Sequence, residues 1–353
     1  MKSLTFFSNK GGVGKTTLTC NFAYYLASTK NLKVLVVDGD PQCNTTQLIL
    51  GEERCNELYW PKESAGDRNT LASIVQPLME GEISLTENLS PLRASDNRFG
   101  VDLIPGDPKM SIIEDMLGKW WSESTGGDLG AVRKTNWVSM LQQGYSEYDL
   151  IIFDVGPSLG SLNRSVLLAT DYFVAPLAAD TFSIVALRNI ASWFEQWSSD
   201  YSYKIEAVQR SFPDRMSSLP VQIDLNEKFR FAGYTVQQYI TRSKRGQRRP
   251  TGAYEALLNR IPAEVEETIA KLKPPHLPAG DLRLGDVPNL YSLIPLAQDV
   301  NSPIAGLTSR DGITGGQYPQ QREYASLMDQ LGADLARNLG LDEHGEAAGE
   351  RNG

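Results

Sequence analysis

Ten residues near the start of the chain, Ser8-Asn9-Lys10-Gly11-Gly12-Val13-Gly14-Lys15-Thr16-Thr17, constrain the fold more than any others. They follow a short apolar run, Leu4 to Ser8, and lead into residues 16–28, where Leu18, Phe22, Tyr25 and Leu26 recur at helical spacing. A glycine-rich turn between a strand and a helix lets successive backbone N–H groups converge on a phosphate. The helix N-terminus adds its dipole, Lys15 a point charge, and Thr16 a hydroxyl suited to Mg2+. The pattern GxxxxGK[ST] is met except at its first position, where Asn9 replaces glycine. Asparagine is the non-glycine residue that best tolerates a left-handed backbone. The reading is a phosphate-binding loop, with Gly11, Gly12, Val13, Gly14, Lys15, Thr16 and Thr17 around a nucleotide. The alternative is a glycine-rich turn that binds nothing.

Further apolar runs bounded by turn residues predict buried parallel strands at Val34 to Asp38, Val101 to Ile104, Leu150 to Asp154, Tyr172 to Ala175, Val236 to Ile240 and Leu290 to Ile294. A second helical pattern covers residues 183–197. Strands alternating with helices specify an α/β fold, a doubly wound, mostly parallel sheet with helices on both faces. The least regular stretches, 52–70, 120–135 and 198–232, are expected to be insertions on one domain spanning 1–340. Residues 341–353, small and acidic, are expected to be a disordered tail. Trp120, Trp121 and Trp137 are read as a hydrophobic cluster rather than a stacking platform.

Two acidic segments fall where parallel strands end. Val36-Val37-Asp38-Gly39-Asp40-Pro41-Gln42-Cys43-Asn44-Thr45-Thr46 puts two carboxylates at i and i+2 beyond a strand, at the edge of the sheet where phosphates bind. Caps for a following helix, or a DxD metal motif of glycosyl transferases, would use the same letters. Leu150-Ile151-Ile152-Phe153-Asp154-Val155-Gly156 ends a strand in an acid that fits the Mg2+-holding carboxylate of phosphoryl-transfer sites, with Gly156 offering an N–H to the terminal phosphate. Gly156-Pro157-Ser158-Leu159-Gly160 also spells the GxSxG nucleophile elbow of hydrolases. A hydrolase needs a histidine later in the chain, and only His276 and His344 follow.

Composition narrows the chemistry. With two histidines and three cysteines (Cys20, Cys43 and Cys55, none in a CxxC pair), a zinc or iron–sulfur centre has few ligands to draw on. The 353 residues carry a formal net charge of −9, and no apolar run reaches the roughly 18 to 20 residues that span a bilayer. A soluble cytoplasmic chain is expected.

Lys10 is surplus to an ordinary phosphate loop. Together with GGVGKTT it resembles the deviant Walker A motif of the ParA/MinD family of ATPases, and the Asp38 to Asn44 segment resembles that family's switch. Val101-Asp102-Leu103-Ile104-Pro105-Gly106, residues 165–187 and Ile294-Pro295 continue the likeness to about Leu339. The resemblance implies ATP and Mg2+ as cofactors and an ATP-sandwiched homodimer in which Lys10 reaches the partner's phosphates. It implies catalytic roles for Lys10, Lys15, Asp38 and Asp40, with Asp40 orienting the attacking water. Mg2+ falls to Thr16, Asp154 and Asp38, and weak ATP hydrolysis is stimulated by a ParB-like or other adaptor.

With the loop at residue 10, an upstream helix-turn-helix domain is not expected, so any DNA binding would be sequence-independent and the protein nucleoid-associated. Arg242, Lys244, Arg245, Arg248 and Arg249 concentrate five positive charges without an acid, as phosphate backbones require. A solvated loop or a flap over the adenine are the other readings of that segment. The expected function is an ATPase switch for partitioning or positioning DNA or a protein cargo. Alternatives keep the switch with another output (polysaccharide synthesis, phage defence, MinD-like membrane cycling) or the scaffold with another reaction, an ATP-dependent synthetase. A membrane partner is not expected, because the chain's end offers acids where a basic amphipathic helix is needed.

Overall fold

The computed structural model describes residues 1–60, 69–86, 90–216, 221, 225, 227–239, 241–244, 247–250, 252–290 and 292–341. The elements in chain order are β1 (Lys2–Phe6), α1 (Lys15–Thr29), β2 (Val34–Asp38), α2 (Asn44–Tyr59), α3 (Leu71–Met79), β3 (Asp102–Ile104), α4 (Met110–Glu123), α5 (Leu129–Thr135), α6 (Trp137–Gly144) and β4 (Leu150–Asp154). They continue with α7 (Ser161–Ala169), β5 (Tyr172–Ala178), α8 (Thr181–Ser211), α9 (Pro213–Met216), β6 (Arg230–Tyr239), β7 (Thr241–Lys244), β8 (Gln247–Pro250), α10 (Gly252–Thr268), β9 (Arg283–Pro288), α11 (Leu293–Asp299) and α12 (Gln317–Asn338).

Seven strands form one parallel sheet in the order β3-β2-β4-β1-β5-β6-β9. Every residue of β2 and β4 is buried, which accounts for their unbroken apolar runs. Alternate side chains feed two cores. Leu35, Val37, Ile151 and Phe153 join the cluster under α3 to α8, while Val34, Val36, Leu150 and Ile152 join the one under α1, α2, α11 and α12. This is the doubly wound sheet the alternating pattern predicts. Register then fixes the site: Phe6 and Asp38 both pair with Asp154, so β1, β2 and β4 end at one level.

Two expectations need correction. The expected strand Leu290 to Ile294 is not found: residue 291 lies outside the described residues, the last strand among those described is β9, and Leu293 begins α11, because Leu293 and Ala297 bury one helical face. The irregular stretch from residue 198 is in its first part regular, since α8 runs on to Ser211 with Tyr201, Lys204, Ile205 and Val208 buried. Lys204 hides there by donating to the Trp121 carbonyl (2.8 Å) and pairing with Asp200 (3.0 Å), so a core position carries a charged letter. Within 120–135, Trp120, Trp121, Ala131 and Val132 are buried and Asp128 caps α5, so this segment is packed into the main core. Trp137 is fully buried in the same cluster. Arg164 of α7 stacks over Trp121, 4.1 Å from the ring centroid, and pairs with Asp200 at 2.6 Å. In the 52–70 stretch, residues 61–68 lie outside the described residues, as do 342–353 of the tail.

Candidate nucleotide site

The loop between β1 and α1 takes its shape from two left-handed residues, Gly12 and Gly14, each at φ 73°. Gly14 is the N-cap of α1. Asn9 is not left-handed, so its place at the head of the motif needs no glycine. The strain that glycine relieves lies further along the loop. A Cβ at Gly11 or Gly12 would meet nothing within 4 Å, because both face an open cavity of about 920 Å³. Gly14, Lys15, Thr16, Thr17, Asp40 and Pro157 also line this cavity, together with Gln298, Asp299 and Asn301. Val13, between the glycines, turns into the protein.

Below the loop, Asp154 is fully buried and organises the floor. Its Oδ2 accepts hydrogen bonds from the hydroxyls of Thr16 (2.7 Å) and Thr45 (2.6 Å), while its buried Oδ1 has no hydrogen-bond partner. Burial raises the pKa of this carboxyl, against the lowering effect of the two hydroxyls and of Lys15. Lys15 itself is almost buried, which lowers its pKa although Asp154 and Asp40 favour its charged form. Asp38 is also fully buried. Its Oδ2 accepts from the backbone N–H (2.8 Å) and hydroxyl (2.7 Å) of Thr46, and its Oδ1 from the Asp40 N–H at 3.2 Å. Burial and then the neighbouring Asp154 push its pKa up to about 7.

Asp40 stands half-exposed at the cavity wall. A Cβ at Gly156 would lie 3.3 Å from its Oδ1, so the two positions are neighbours across the β2 and β4 ends. The Gly156-to-Gly160 loop is tied down by Asn163, whose amide donates to the carbonyls of Gly156 (2.8 Å) and Ser158 (2.7 Å). Among the described residues no hydrogen bond joins Ser158 to a histidine: its hydroxyl accepts from the Gly160 N–H at 3.4 Å, His276 belongs to the connection after α10, and His344 lies outside the described residues.

Next to Gly11 in the loop, Lys10 forms an ion pair with Asp180. Asp180 also caps α8 by accepting from the Ser183 N–H (2.9 Å). Partial burial opposes its ionisation, but the Lys10 ammonium and the Ser183 N–H prevail and hold the carboxyl below its usual range.

The structure thus gathers Lys10, Gly11, Gly12, Gly14, Lys15, Thr16, Thr17, Asp38, Asp40, Asp154 and Gly156 at one edge of the sheet. Sequence reasoning missed Thr45, Thr46, Asn163 and Asp180, which hold these residues in place. Thr45 and Thr46 follow the acidic segment directly, and two threonines opening a helix there were the available signal. The basic cluster is carried by a separate two-stranded antiparallel sheet, in which Arg242 is in register with Arg249 and Ser243 with Arg248. Lys244 ends β7, and Arg245 lies outside the described residues.

Oxygen donors, a buried carboxylate oxygen without a partner and an adjacent hydroxyl suit Mg2+ held jointly with phosphates and water. Among the described residues no group of three or more His, Cys, Asp or Glu forms a separate metal cage.

Residues 1–207 match the model of the AAA_31 family, described as an AAA domain. Over 191 residues, 54% of this chain and 62% of the relative, the sequence is 32% identical to the virulence plasmid ParA family protein pGP5-D of Chlamydia psittaci. The chain belongs to the ParA-type P-loop ATPases. The match thus spans less than two thirds of the chlamydial protein's own length. Among solved structures, this ParA-type chain is similar to protein DIP2308 of Corynebacterium diphtheriae, with 32% identity, a TM-score of 0.74 and coverage of 96% and 99% of the two chains. It shares its fold with McdA of Cyanothece, solved as an ATP complex, at 18% identity and a TM-score of 0.53 over 96% of each chain. No helix among the described residues of this ParA-type chain is long and apolar enough to cross a membrane.

Proposed function

We propose that the protein is an ATP-driven switch that dimerises around two ATP molecules, binds DNA without sequence preference and hydrolyses ATP slowly until an adaptor stimulates it. Partitioning or positioning of a DNA or protein cargo is the output. One observation carries the reading: Thr45 and Thr46, which follow Asp40 at the start of α2, hydrogen-bond the two buried carboxylates Asp154 and Asp38. The segment that carries Asp40 is therefore wired to the carboxylate on the metal side. Any change in what Asp154 binds is felt at Asp40.

In this scheme the glycine N–H groups, the α1 dipole and Lys15 hold the phosphates. Thr16 and Asp154 Oδ1 are the groups that would hold Mg2+, which supplies charge neutralisation between the two outer phosphates. Asp38, with both oxygens already engaged, braces the switch from behind. Asp40 positions the attacking water beside the Gly156 N–H. Gln298, Asp299 and Asn301, which also line the cavity, are suited to the base and sugar. Lys10 exchanges Asp180 for the phosphates of a second copy. Arg242, Lys244, Arg245, Arg248 and Arg249 meet DNA phosphates, and their density within one pair of strands supports that role.

The test is binding of the Asp40→Ala protein to random duplex DNA with ATP and with ADP, repeated with the five basic residues changed to alanine. ATP-dependent, salt-sensitive binding that disappears in the second protein is expected. A verified ATP dimer that ignores DNA would overturn the DNA-bound part of the reading.

A further inference from the structure

Helix α2 is broken in its middle. Gly51 has φ 80° and ψ 169°, so residues 44–50 and 52–59 are two helical pieces joined by a sharp bend. The first piece starts at another joint, Cys43, whose φ of 55° is a left-handed conformation that residues other than glycine adopt under strain. Between the two joints, Thr45 and Thr46 hydrogen-bond the buried carboxylates Asp154 and Asp38, while Asn44, Gln47 and Leu48 line the nucleotide cavity.

A helical piece that stops at Leu50 leaves the carbonyls of its last turn without intrahelical partners. Asn301 meets two of them: its Nδ2 donates to the Gln47 carbonyl at 3.0 Å and to the Leu48 carbonyl at 3.2 Å. The same nitrogen lies 3.3 Å from the carbonyl of Gln298 in α11. The fit is close, since a Cβ at Gly51 would run into the Asn301 side-chain carbonyl. Asn301 is itself left-handed, at φ 50°. The turn after it is tied to the body of the domain: the Ile304 N–H donates to Asn21 of α1 (2.9 Å), and Gln321 of α12 donates to the carbonyls of Ile304 (3.1 Å) and Leu307 (2.7 Å). A firmly held amide thus clasps a short helical piece that has a joint at each end.

We infer that Asn301 is a positioning residue that couples the nucleoside side of the cavity to the carboxylates on the metal side. The inference rests on the nucleotide reading above. A base and sugar packed on Gln298 and Asp299 fix the end of α11. The Asn301 amide joins that end to the Gln47 and Leu48 carbonyls, and residues 44–50 move as one unit that carries Thr45 and Thr46 on Asp154 and Asp38. Phosphates alone fill the glycine-rich loop and leave this path unloaded, so the site tells a nucleotide from a bare polyphosphate. Such coupling is reciprocal, and a change at Asp154 is felt at the Asn301 amide.

Hydrogen–deuterium exchange of the amides in residues 44–50 tests this, measured on the full chain with Mg2+ and either saturating ADP or saturating pyrophosphate. Both probes fill the phosphate loop, and only ADP reaches α11. In the parent protein, exchange is expected to be about tenfold slower with ADP than with pyrophosphate. Asn301→Asp keeps the size and the tolerance for a left-handed backbone but loses the donor, and Asn301→Gly keeps the backbone but loses the side chain. Both are expected to bring the two exchange rates within about twofold of each other. Continued protection of the β1 and β4 amides reports an intact fold. Removing a residue that merely capped a helical piece would speed exchange equally with either probe and leave the tenfold difference standing, and that result overturns the inference. Equal protection by the two probes in the parent protein also overturns it. So do variants that ADP cannot saturate, because Asn301 is then a ligand contact. Failure of ADP to bind the parent protein overturns the nucleotide reading itself, and this inference with it.

Discussion

Glu114 and Gly160 lie so close that any side chain at position 160 would enter the Glu114 carboxylate. Glu114, on α4, accepts a hydrogen bond from the Leu162 backbone in the first turn of α7, and its partial burial raises its pKa. It is a cap supplied from another helix, and it fixes the end of the Gly156-to-Gly160 loop. Gly160→Ala should force the carboxylate aside and cost about 1–3 kcal/mol of stability. Urea denaturation checks this. Glu114→Ala combined with Gly160→Ala should cost clearly less than the sum of the two single changes, because the collision is gone.

Thr45→Val keeps the shape of the side chain and removes one of the two hydroxyls on Asp154 Oδ2. The Mg2+ concentration needed for tight ADP binding should rise by about tenfold or more, as it does when groups that orient metal ligands are lost. A Mg2+ titration at fixed ADP reads this directly, and an unshifted curve would detach Thr45 from the metal side of the site.

The buried Asp38 gives the nucleotide-free protein a pH dependence of definite sign. Its folded pKa of about 7 lies above the unfolded value near 3.9, so the folded chain binds the proton more tightly. The associated stability is full below about pH 4 and is lost as the pH rises towards 7 and beyond. Asp154 shifts in the same direction. Unfolding free energy should therefore fall between about pH 4 and pH 7, by a few kcal/mol at about 1.4 kcal/mol for each pKa unit, and Asp38→Asn should flatten the trend.

Binding and turnover should separate cleanly. Lys15→Ala removes the ammonium from the phosphate pocket and should lower nucleotide affinity by about 100-fold, measured with a fluorescent analogue. Asp40→Ala leaves the loop untouched and should preserve affinity while slowing hydrolysis by about 100-fold or more.

Arg164 should not tolerate lysine. Its guanidinium stacks on Trp121 and pairs with Asp200 at once, a combination a point charge does not reproduce. Arg164→Lys should cost about 1–2 kcal/mol in thermal or chemical unfolding.

The phosphate loop and the strand-end acids were legible because local spacing alone determines them. Asp38 and Asp154 end buried apolar runs, and the β2 and β4 pairing that brings them level follows from parallel topology. The missed parts depend on contacts between distant elements. Nothing around Thr45 or Asn163 reveals which carboxylate or carbonyl each will meet until the sheet is assembled. The strand β9, Arg283–Pro288, was overlooked because its sequence is polar at an edge of the sheet, while the more apolar Leu290 to Ile294 drew the assignment. The second half of α8 was hidden by Lys204, a buried lysine that breaks the apolar stripe.

The 31 residues of α8 amount to a rod about 46 Å long, anchored at one end by the Asp180 cap and braced along its side by the Arg188–Glu264 and Lys271–Glu195 pairs with the α10 region. Leverage follows from length: a tilt of about five degrees at the capped end displaces the other by about 4 Å. A change in the Lys10–Asp180 pair that tilted the first turn of α8 would thus be carried, enlarged, to the opposite end of the helix.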